Sequence, residues 1–263
     1  MKLSGLKYLL FLLPLFVGAY KSLGQRKGFD NLTYFDDRKL HFGFYLGLNT
    51  MDYRLKNYKD VADNPVFKDN PQLLANTIER YGGKSSLAAE IYTIMPGFTV
   101  GGVVNARLGR DIDLRFTPGM SLGNRHFKLL GIENPIVDPG IDLKTYLYIP
   151  SAYLDLPVGI RYKGFRHHNL RPYIYTGAAF RQDLESQKRI SEGVVHLKKS
   201  GPYAEVALGL DSYLEYFRFT AEFRFSYGLN NLIRHDITNP LPYYGYIFKE
   251  LNSNLFTLIF YFE

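Results

Sequence analysis

Two residue types are missing from this 263-residue sequence, which contains no cysteine and no tryptophan. Without cysteine the chain has no disulfide framework, no thiolate metal site and no cysteine nucleophile. Such a chain can also be exported through an oxidising compartment without mispaired thiols. Tyrosine and phenylalanine are abundant instead, with 22 and 20 copies.

Long apolar runs are scarce as well, and the clear one lies at the N-terminus. Residues 8–19 are apolar, follow the cations Lys2 and Lys7, and precede the small residue Gly24. This order predicts a signal peptide over residues 1–24 that is cleaved before Gln25. The run is too short for a membrane-spanning helix, which needs about 20 residues. No later segment is apolar over the length of such a helix, so a membrane protein with this sequence has to be a closed barrel.

The positive charge is not concentrated in one place. Loss of residues 1–24 removes three lysines and no acid, which lowers the formal net charge from +7 to +4. The remaining lysines and arginines alternate with apolar residues, and none form a basic cluster interleaved with aromatics. The sequence therefore argues against a nucleic-acid partner.

The strongest signal after residue 40 is an alternation of apolar and polar residues with a period of two. It is clearest over residues 217–227. One side of that segment carries Phe217, Phe219, Ala221, Phe223, Phe225 and Tyr227. The other side carries Arg218, Thr220, Glu222, Arg224 and Ser226. A soluble sandwich would bury the aromatic side, whereas a membrane barrel would turn it toward lipid and keep the charges inside. Alternation alone fits both.

The spacing of the strands favours the barrel. The predicted strands lie near residues 41–51, 97–108, 111–124, 151–163, 171–183, 202–214, 217–229 and 252–262. Long connections over residues 52–96, 125–150, 184–201 and 230–251 alternate with three short turns. Outer-membrane barrels have short periplasmic turns and long outer loops. The sequence thus predicts an all-β fold, an eight-stranded antiparallel transmembrane β-barrel in a bacterial outer membrane, in contact with lipid.

Charged residues of both signs fall on the predicted inner face, called the lumen below. They are Arg107, Asp111, Asp113, Arg115, Asp155, Arg161, Glu205, Asp211, Arg218, Glu222 and Arg224. Within this set we predict a charge network of Arg161, Glu205, Arg218, Glu222 and Arg224. Eight strands enclose just enough space for their own side chains. The expected barrel is therefore solid and not a diffusion channel.

The loops supply candidate contact residues. Residues 70–82 have an N-cap candidate, a proline in the first turn and a closing glycine, which predicts a short helix at the barrel mouth. The fourth loop is rich in aromatics, which either pack on themselves at the membrane boundary or bind a partner. The candidate partner-binding residues are Tyr243, Tyr244, Tyr246, Phe248, Asp36 and Asp37.

The sequence carries no recognisable catalytic or metal-binding pattern. Catalytic barrels need a histidine on a rigid strand or loop base beside a nucleophile or water. The six histidines fall at the first strand's start, in the turn at residues 167–168, and in outer loops at His126, His196 and His235. The acidic residues lack the spacing of a calcium loop. We expect no enzyme activity, no metal, no cofactor and no small-molecule substrate.

Two stretches carry a resemblance to a known family. Residues 34–52, YFDDRKLHFGFYLGLNTMD, resemble the start of the PorT proteins, called SprT in gliding bacteria. Residues 153–162, YLDLPVGIRY, and the strand that begins at Arg171 resemble the core shared by many outer-membrane barrels of Bacteroidota. The resemblance extends over nearly the whole mature chain.

This resemblance implies a role in the type IX protein secretion system, and through it in surface-protein export and gliding motility, with protein partners in that machinery. It implies no catalytic residues. The expected organisation is a signal peptide at residues 1–24, a periplasmic segment at residues 25–40 and a barrel at residues 41–263. A free-standing barrel with a structural or adhesive role is the alternative.

Overall fold

A computed structural model describes residues 30–68, 70–80, 83, 85–86, 88–130, 146–185, 197–233 and 243–263. The predicted signal peptide, His196 and His235 lie outside these residues.

The described chain is built from β-strands. Their bounds are β1 Leu40–Asn57, β2 Ala88–Ile94, β3 Pro96–Arg107, β4 Ile112–Phe116, β5 Gly119–Leu130, β6 Tyr146–Lys163, β7 Leu170–Asp183, β8 Ser200–Tyr213, β9 Arg218–Gly228 and β10 Phe248–Phe262. One α-helix, α1, spans Pro71–Arg80. Short 3-10 helices span Phe35–Asp37, Val61–Asp63, Pro65–Phe67 and Tyr243–Tyr246.

These strands form one closed antiparallel barrel. β2 and β3 are two parts of one wall strand, interrupted at Met95, and β4 and β5 are parts of another, interrupted at Thr117-Pro118. The ten segments therefore make eight wall strands. Consecutive wall strands pair with each other, and β1 closes the ring by pairing with both β10 and β3. The prediction of an eight-stranded antiparallel barrel is confirmed.

The two ends of the barrel differ. Both ends of the wall meet at one end, together with the short turns at residues 108–111, 164–169 and 214–217. We call this end the terminal mouth. The other end, the loop mouth, receives the long connections, including residues 58–87 and 229–247.

The predicted strand ends near the loop mouth are wrong. β1 continues to Asn57, beyond its predicted end at residue 51, and β5 continues to Leu130, beyond residue 124. β10 begins at Phe248, before its predicted start at residue 252. His126 therefore lies in β5, opposite Thr93 of β2, and not in a loop.

Along most of its height the wall is apolar outside and polar inside. On β1, Phe44 and Leu48 are 55% and 56% exposed, whereas Tyr45 and Asn49 point inward and are buried. On β9, Arg218, Glu222 and Arg224 are buried. Because successive side chains of a strand point to opposite faces, knowing which face one residue occupies determines the face of every other residue in that strand. The predicted phase of residues 217–227 is confirmed.

Near the loop mouth this arrangement reverses. The outward positions there include Lys56, Glu90 and Asn124, which are polar and exposed. The interior is an apolar cluster, here called the loop-mouth core. Its buried members are Tyr53, Val61, Phe67, Ala89, Ile149, Leu197, Leu232, Ile233, Tyr246, Ile247, Phe248 and Leu251. A polar exterior around an apolar core is the pattern of a protein in water, so this part of the barrel is built to stand outside a membrane.

The helix predicted near residues 70–82 is confirmed as α1. Its first turn is held by the Asn70 carbonyl, which accepts from the amides of Leu73 and Leu74 at 3.1 and 3.2 Å. The side chains of Leu73 and Leu74 pack against the loop-mouth core. The helix thus covers this mouth. No helix among the described residues is both long and apolar enough to span a bilayer.

Candidate functional site: the closed lumen and its two mouths

Glu222 on β9 is at the centre of the lumen. Its Oε1 accepts from Arg224 Nε at 2.9 Å and from the Tyr261 hydroxyl at 3.1 Å. Its Oε2 accepts from Arg115 Nη1 at 3.2 Å and from the Tyr173 hydroxyl. The carboxylate is fully buried and has four donors around it. A buried charge is tolerated only when it is paired and hydrogen-bonded in this way.

A second group of charges lies on the loop-mouth side of Glu222. Arg181 donates from Nη2 to Glu205 at 2.7 Å and from Nε to Asp155 at 3.0 Å. Arg224 Nη1 donates to the other Glu205 oxygen at 3.2 Å. Arg224 therefore joins this group to Glu222, and the two groups form one network.

A third group lies toward the terminal mouth. Arg161 contacts Asp211 and lies 3.7 Å from Asp113, and Lys163 Nζ donates to Asp113 at 2.7 Å. Arg161 is fully buried. The five residues predicted for the lumen network all face the interior, and Arg224 bonds directly to both Glu205 and Glu222. Arg161 and Arg218 are bonded to other acids.

One acid of the network is the last residue of the chain. The Glu263 side chain is fully shielded from solvent and accepts from Arg115 Nη2 at 3.0 Å, from Asn105 Nδ2 at 2.7 Å and from Arg218. Sequence reasoning placed Glu263 after the end of the last strand and gave it no role. The signal was present, because an inward phase that includes Leu255, Ile259 and Tyr261 puts residue 263 inside.

Arg125 differs from the other buried cations. Its guanidinium donates to the hydroxyls of Ser151 at 2.6 Å, Tyr153 at 3.1 Å and Ser253 at 2.7 Å, and stands 4.2 Å from the Tyr53 ring centroid. No carboxylate of the described chain forms an ion pair with it, and Nε has no hydrogen-bond partner there. Hydroxyl oxygens and aromatic faces provide its solvation. Arg125 falls in a connection predicted over residues 125–150, so the sequence alone does not indicate its buried position.

A strap formed by residues 31–39 crosses the terminal mouth. At one side, the Asn31 amide donates to Asn169 Oδ1 at 2.8 Å, and Arg166 donates to the Asn31 carbonyl. At the opposite side, the Arg107 amide donates to the Lys39 carbonyl at 2.9 Å. The ring of Phe35 stacks on His41 with centroids 4.2 Å apart. The strap therefore closes this mouth from wall to wall.

Asp36 is the main anchor of the strap. It accepts from Arg171 Nη1 at 3.0 Å and from the Tyr213 hydroxyl at 2.7 Å, and it lies 3.7 Å from Arg218 Nη1. Burial raises the pKa of Asp36, but the Tyr213 hydrogen bond and the nearby cations outweigh it and hold the pKa below its ordinary value. Asp36 is thus a structural anion through which the strap is bonded to the barrel wall.

Asp37 and two predicted lumen residues lie at the rim of the same mouth. The Asp37 side chain is 68% exposed and lies 3.2 Å from Arg107 Nη1. Asp111 lies in the β3–β4 turn and accepts from Arg171 at 2.9 Å. Arg107 and Asp111 keep the predicted inward phase, but they lie at the rim and outside the buried network, because β3 ends at Arg107 and Asp111 lies in the turn.

The loop mouth is closed by packing and not by charge. Tyr246 and Phe248 are 2% and 1% exposed within the loop-mouth core. The rings of Phe67 and Tyr246 lie 4.9 Å apart. Of the two alternatives for this loop, these two residues follow the self-packing one, because the loop folds into the barrel end and buries them. The side chains of Tyr243 and Tyr244, which were also predicted to bind a partner, are not among those that the structure describes.

The described histidines are dispersed. His41 is buried under Phe35, His126 lies on the outer side of β5, and His167 and His168 form an exposed turn. Among the described residues no group of three or more histidine, aspartate and glutamate side chains is arranged to hold a metal ion. The buried lumen carboxylates of Asp113, Asp155, Glu205, Asp211 and Glu222, in turn, are bonded to arginine or lysine.

Comparison with known proteins identifies the domain. A family model described as an outer membrane protein beta-barrel domain matches residues 24–234. No curated protein matches the chain.

Several solved structures are similar in fold. Neisserial surface protein A has 8% identity and a TM-score of 0.40, over 86% of this chain and 99% of its own. Ail, the attachment invasion locus protein of Yersinia pestis, has 9% identity and a TM-score of 0.38, over 86% and 99%. The outer membrane protease OmpT of Escherichia coli has 9% identity and a TM-score of 0.38, over 85% and 94%. TM-scores this low do not indicate a shared function.

Proposed function

The chain belongs to the outer membrane protein beta-barrel family, and from this premise we propose that it is an accessory component of the type IX protein secretion system that acts by protein–protein contact. The protein lies in the outer membrane, where lipid meets its outward apolar side chains. Short turns of such barrels face the periplasm, so the terminal mouth lies on the periplasmic side of the membrane and the loop mouth on the outer side.

The observation that supports contact is the filling of the lumen. Arg115, Glu222 and Arg224 are 0%, 1% and 3% exposed, and Glu222 accepts from Arg115 across the barrel and from Arg224 on its own strand. The strap lies below them and the loop-mouth core above. Conduction needs a continuous water path, which side chains of an eight-stranded barrel leave no room for. The proposal therefore assigns activity to the two ends of the barrel.

The link to type IX secretion rests on the resemblance of residues 34–52 to PorT proteins. Part of that stretch has a clear structural use, because Phe35 and Asp36 close the terminal mouth and His41 and Tyr45 line the lumen. The resemblance thus covers the strap and the strand that receives it. A secretion role would place this closed end next to the periplasmic part of the machinery.

The test is deletion of the chain in its host, with complementation by the full-length protein. The proposal expects loss of surface cargo from the cell exterior, its retention inside, and loss of gliding where the host glides. Complementation with a lipid-facing variant such as Leu208→Ala serves as the control and should restore export. If cargo reaches the surface normally in the deletion strain, the chain is a free-standing barrel and the secretion role is wrong.

A further inference from the structure

The terminal mouth exposes large apolar side chains at positions where a water-facing turn is normally polar. Each of the three short turns presents one at its tip, and the strap presents a fourth. They are Leu108, Phe165, Tyr216 and Tyr34, with exposures of 62%, 95%, 89% and 80%. We call these four residues the apolar tips. Going around the ring, each of these turns is two wall strands from the next, so the apolar tips are distributed around the mouth.

Contact with lipid does not explain why Tyr34, the apolar tip on the strap, is exposed. Phe35 and Asp36, the next two residues, pack down onto His41, Arg171 and Tyr213 at the end of the lumen. Tyr34 therefore lies over the mouth and inside the ring of wall strands, where a membrane cannot reach it. Four exposed apolar side chains at one end of the barrel, one of them over its mouth, indicate a surface that another molecule covers.

A basic edge adjoins the apolar tips on one side. Arg38, Lys39 and Arg110 are exposed, and none is ion-paired within the described chain. They lie together because the Lys39 carbonyl accepts from the Arg107 amide, and Arg110 is three residues farther along in the β3–β4 turn. The exposed acid Glu215 lies in the β8–β9 turn, on the opposite side of the ring. Asp37 and Asp111 are also exposed at the basic edge, but they are paired with Arg107 and Arg171, so the three unpaired cations leave this edge with a net positive charge.

We propose that the terminal mouth is the docking face for a periplasmic protein that presents an apolar patch bordered by acidic residues. The apolar tips supply the desolvated centre of the interface, where aromatic side chains contribute most of the binding energy. The basic edge supplies a polar rim that orients an acidic partner and speeds its association. This inference rests on the proposed contact function and assigns it to the periplasmic end.

The contact is tested in cells that produce full-length protein with a photo-crosslinking amino acid at position 216. The matched control carries the same group at the lipid-facing position 208. We expect position 216, and not position 208, to crosslink to one protein, identified by mass spectrometry. The triple reversal Arg38→Glu, Lys39→Glu and Arg110→Glu should reduce that crosslink at least tenfold. Reversing acids on the identified protein should restore it.

A loop-mouth variant controls for the change in net charge. Lys56→Glu, Lys198→Glu and Lys199→Glu alter exposed lysines at the other end of the barrel and should leave the crosslink unchanged. Equal heat-modifiability on gels shows that all variants fold. Crosslinks to lipid or to peptidoglycan alone, or a protein crosslink that both triple variants reduce equally, would overturn the docking face. Normal export in the deletion strain would instead contradict the secretion role, whatever position 216 contacts.

Discussion

At the scale of single residues, the lumen shows how a barrel interior tolerates many charges. Seven of its buried or partly buried cations are within ion-pairing distance of at least one carboxylate: Arg115, Arg161, Lys163, Arg171, Arg181, Arg218 and Arg224. Each acid in turn is shared between donors. Removing one member leaves a charge buried without its partner, which is more costly than never having buried it.

Glu222→Ala should therefore destabilise the barrel by about 3 kcal/mol or more, because Arg115 and Arg224 both lose a partner. The free energy of unfolding would be measured by urea titration in lipid vesicles, with heat-modifiability on gels as a second readout. The conservative variant Glu222→Gln keeps the hydrogen-bond acceptor and should lose less. Unchanged unfolding midpoints in both variants would show that the network does not stabilise the fold.

Arg125→Met should cost less than Glu222→Ala, although both side chains are buried. Arg125 is solvated by hydroxyls and tyrosine rings, so its loss strands no carboxylate, and methionine fills much of the same volume. The same urea titration compares the two variants. An equal or larger loss for Arg125→Met would mean that its neighbours depend on the cation more than ion pairing explains.

The strap should loosen at low pH through Asp36. Because the pKa of Asp36 is lowered in the folded protein, its contribution is complete at neutral pH. The contribution is lost below the ordinary value of 3.8 as the pH falls through the lowered one. Limited proteolysis of an N-terminal epitope, followed across pH, measures release of the strap. Asp36→Asn should release it at neutral pH and remove the pH step, whereas Asp37→Asn should preserve that step.

Which residues face the lumen could be predicted wherever the alternation of apolar and polar residues in a strand was clear. The alternation over residues 217–227 placed Arg218, Glu222 and Arg224 inside without any structure. It did not give their partners, because Arg115 reaches Glu222 across 107 positions of sequence and Glu263 across 148. Such pairs depend on barrel register and on arginine length, neither of which a single sequence encodes locally.

At the scale of elements, the strand ends at the loop mouth could not be predicted from the same alternation. The expected pattern was apolar outside and polar inside, and the wall reverses that pattern above residues such as Thr50. Asp52 and Arg54 continue the outward phase of Phe44 and Leu48, while Tyr53 continues the inward phase. The strand goes on, but its solvent changes from lipid to water. The alternation of outward apolar and inward polar residues, from which the strands were predicted, therefore ends before the strand ends.

The loop-mouth core should behave as a separate packing unit. Phe248→Ala removes a ring that is 1% exposed, and such truncations in a packed core cost about 3–5 kcal/mol. We expect the loops over this mouth to become protease-sensitive while the lumen network stays folded. Phe256→Ala, at a lipid-facing position with 41% exposure, is the matched control and should leave the loops resistant. Equal protection of the loops in both variants would contradict a packed core at this mouth.

Close packing also explains one glycine in the wall. A Cβ at Gly209 on β8 would overlap the ring of Tyr173 on the neighbouring strand β7. That ring sits 5.3 Å from the Arg115 guanidinium, and its hydroxyl donates to Glu222. Glycine therefore makes room for a tyrosine that belongs to the charge network, a requirement that the sequence alone does not reveal.

At the scale of the whole molecule, the barrel has an interior filled by side chains and is divided into three zones along its axis. The strap and the apolar tips form the terminal mouth, ion pairs fill the middle of the barrel, and the loop-mouth core fills the other end. Closure of eight strands and the solid interior were predictable from loop lengths and charge phase. The strap was not, because residues 30–39 lack periodicity and their role appears only when the mouth they cross is in place.

The claim that the protein acts by contact is tested most directly by electrical conductance. Full-length protein, folded into planar bilayers, would be recorded over a range of voltages, with a wide diffusion porin as the positive control. A lumen filled by Arg115, Glu222, Arg224 and their partners predicts a flat baseline without steady single-channel steps. Steady, reproducible steps from correctly folded protein would contradict a closed lumen and would make conduction the function to explain.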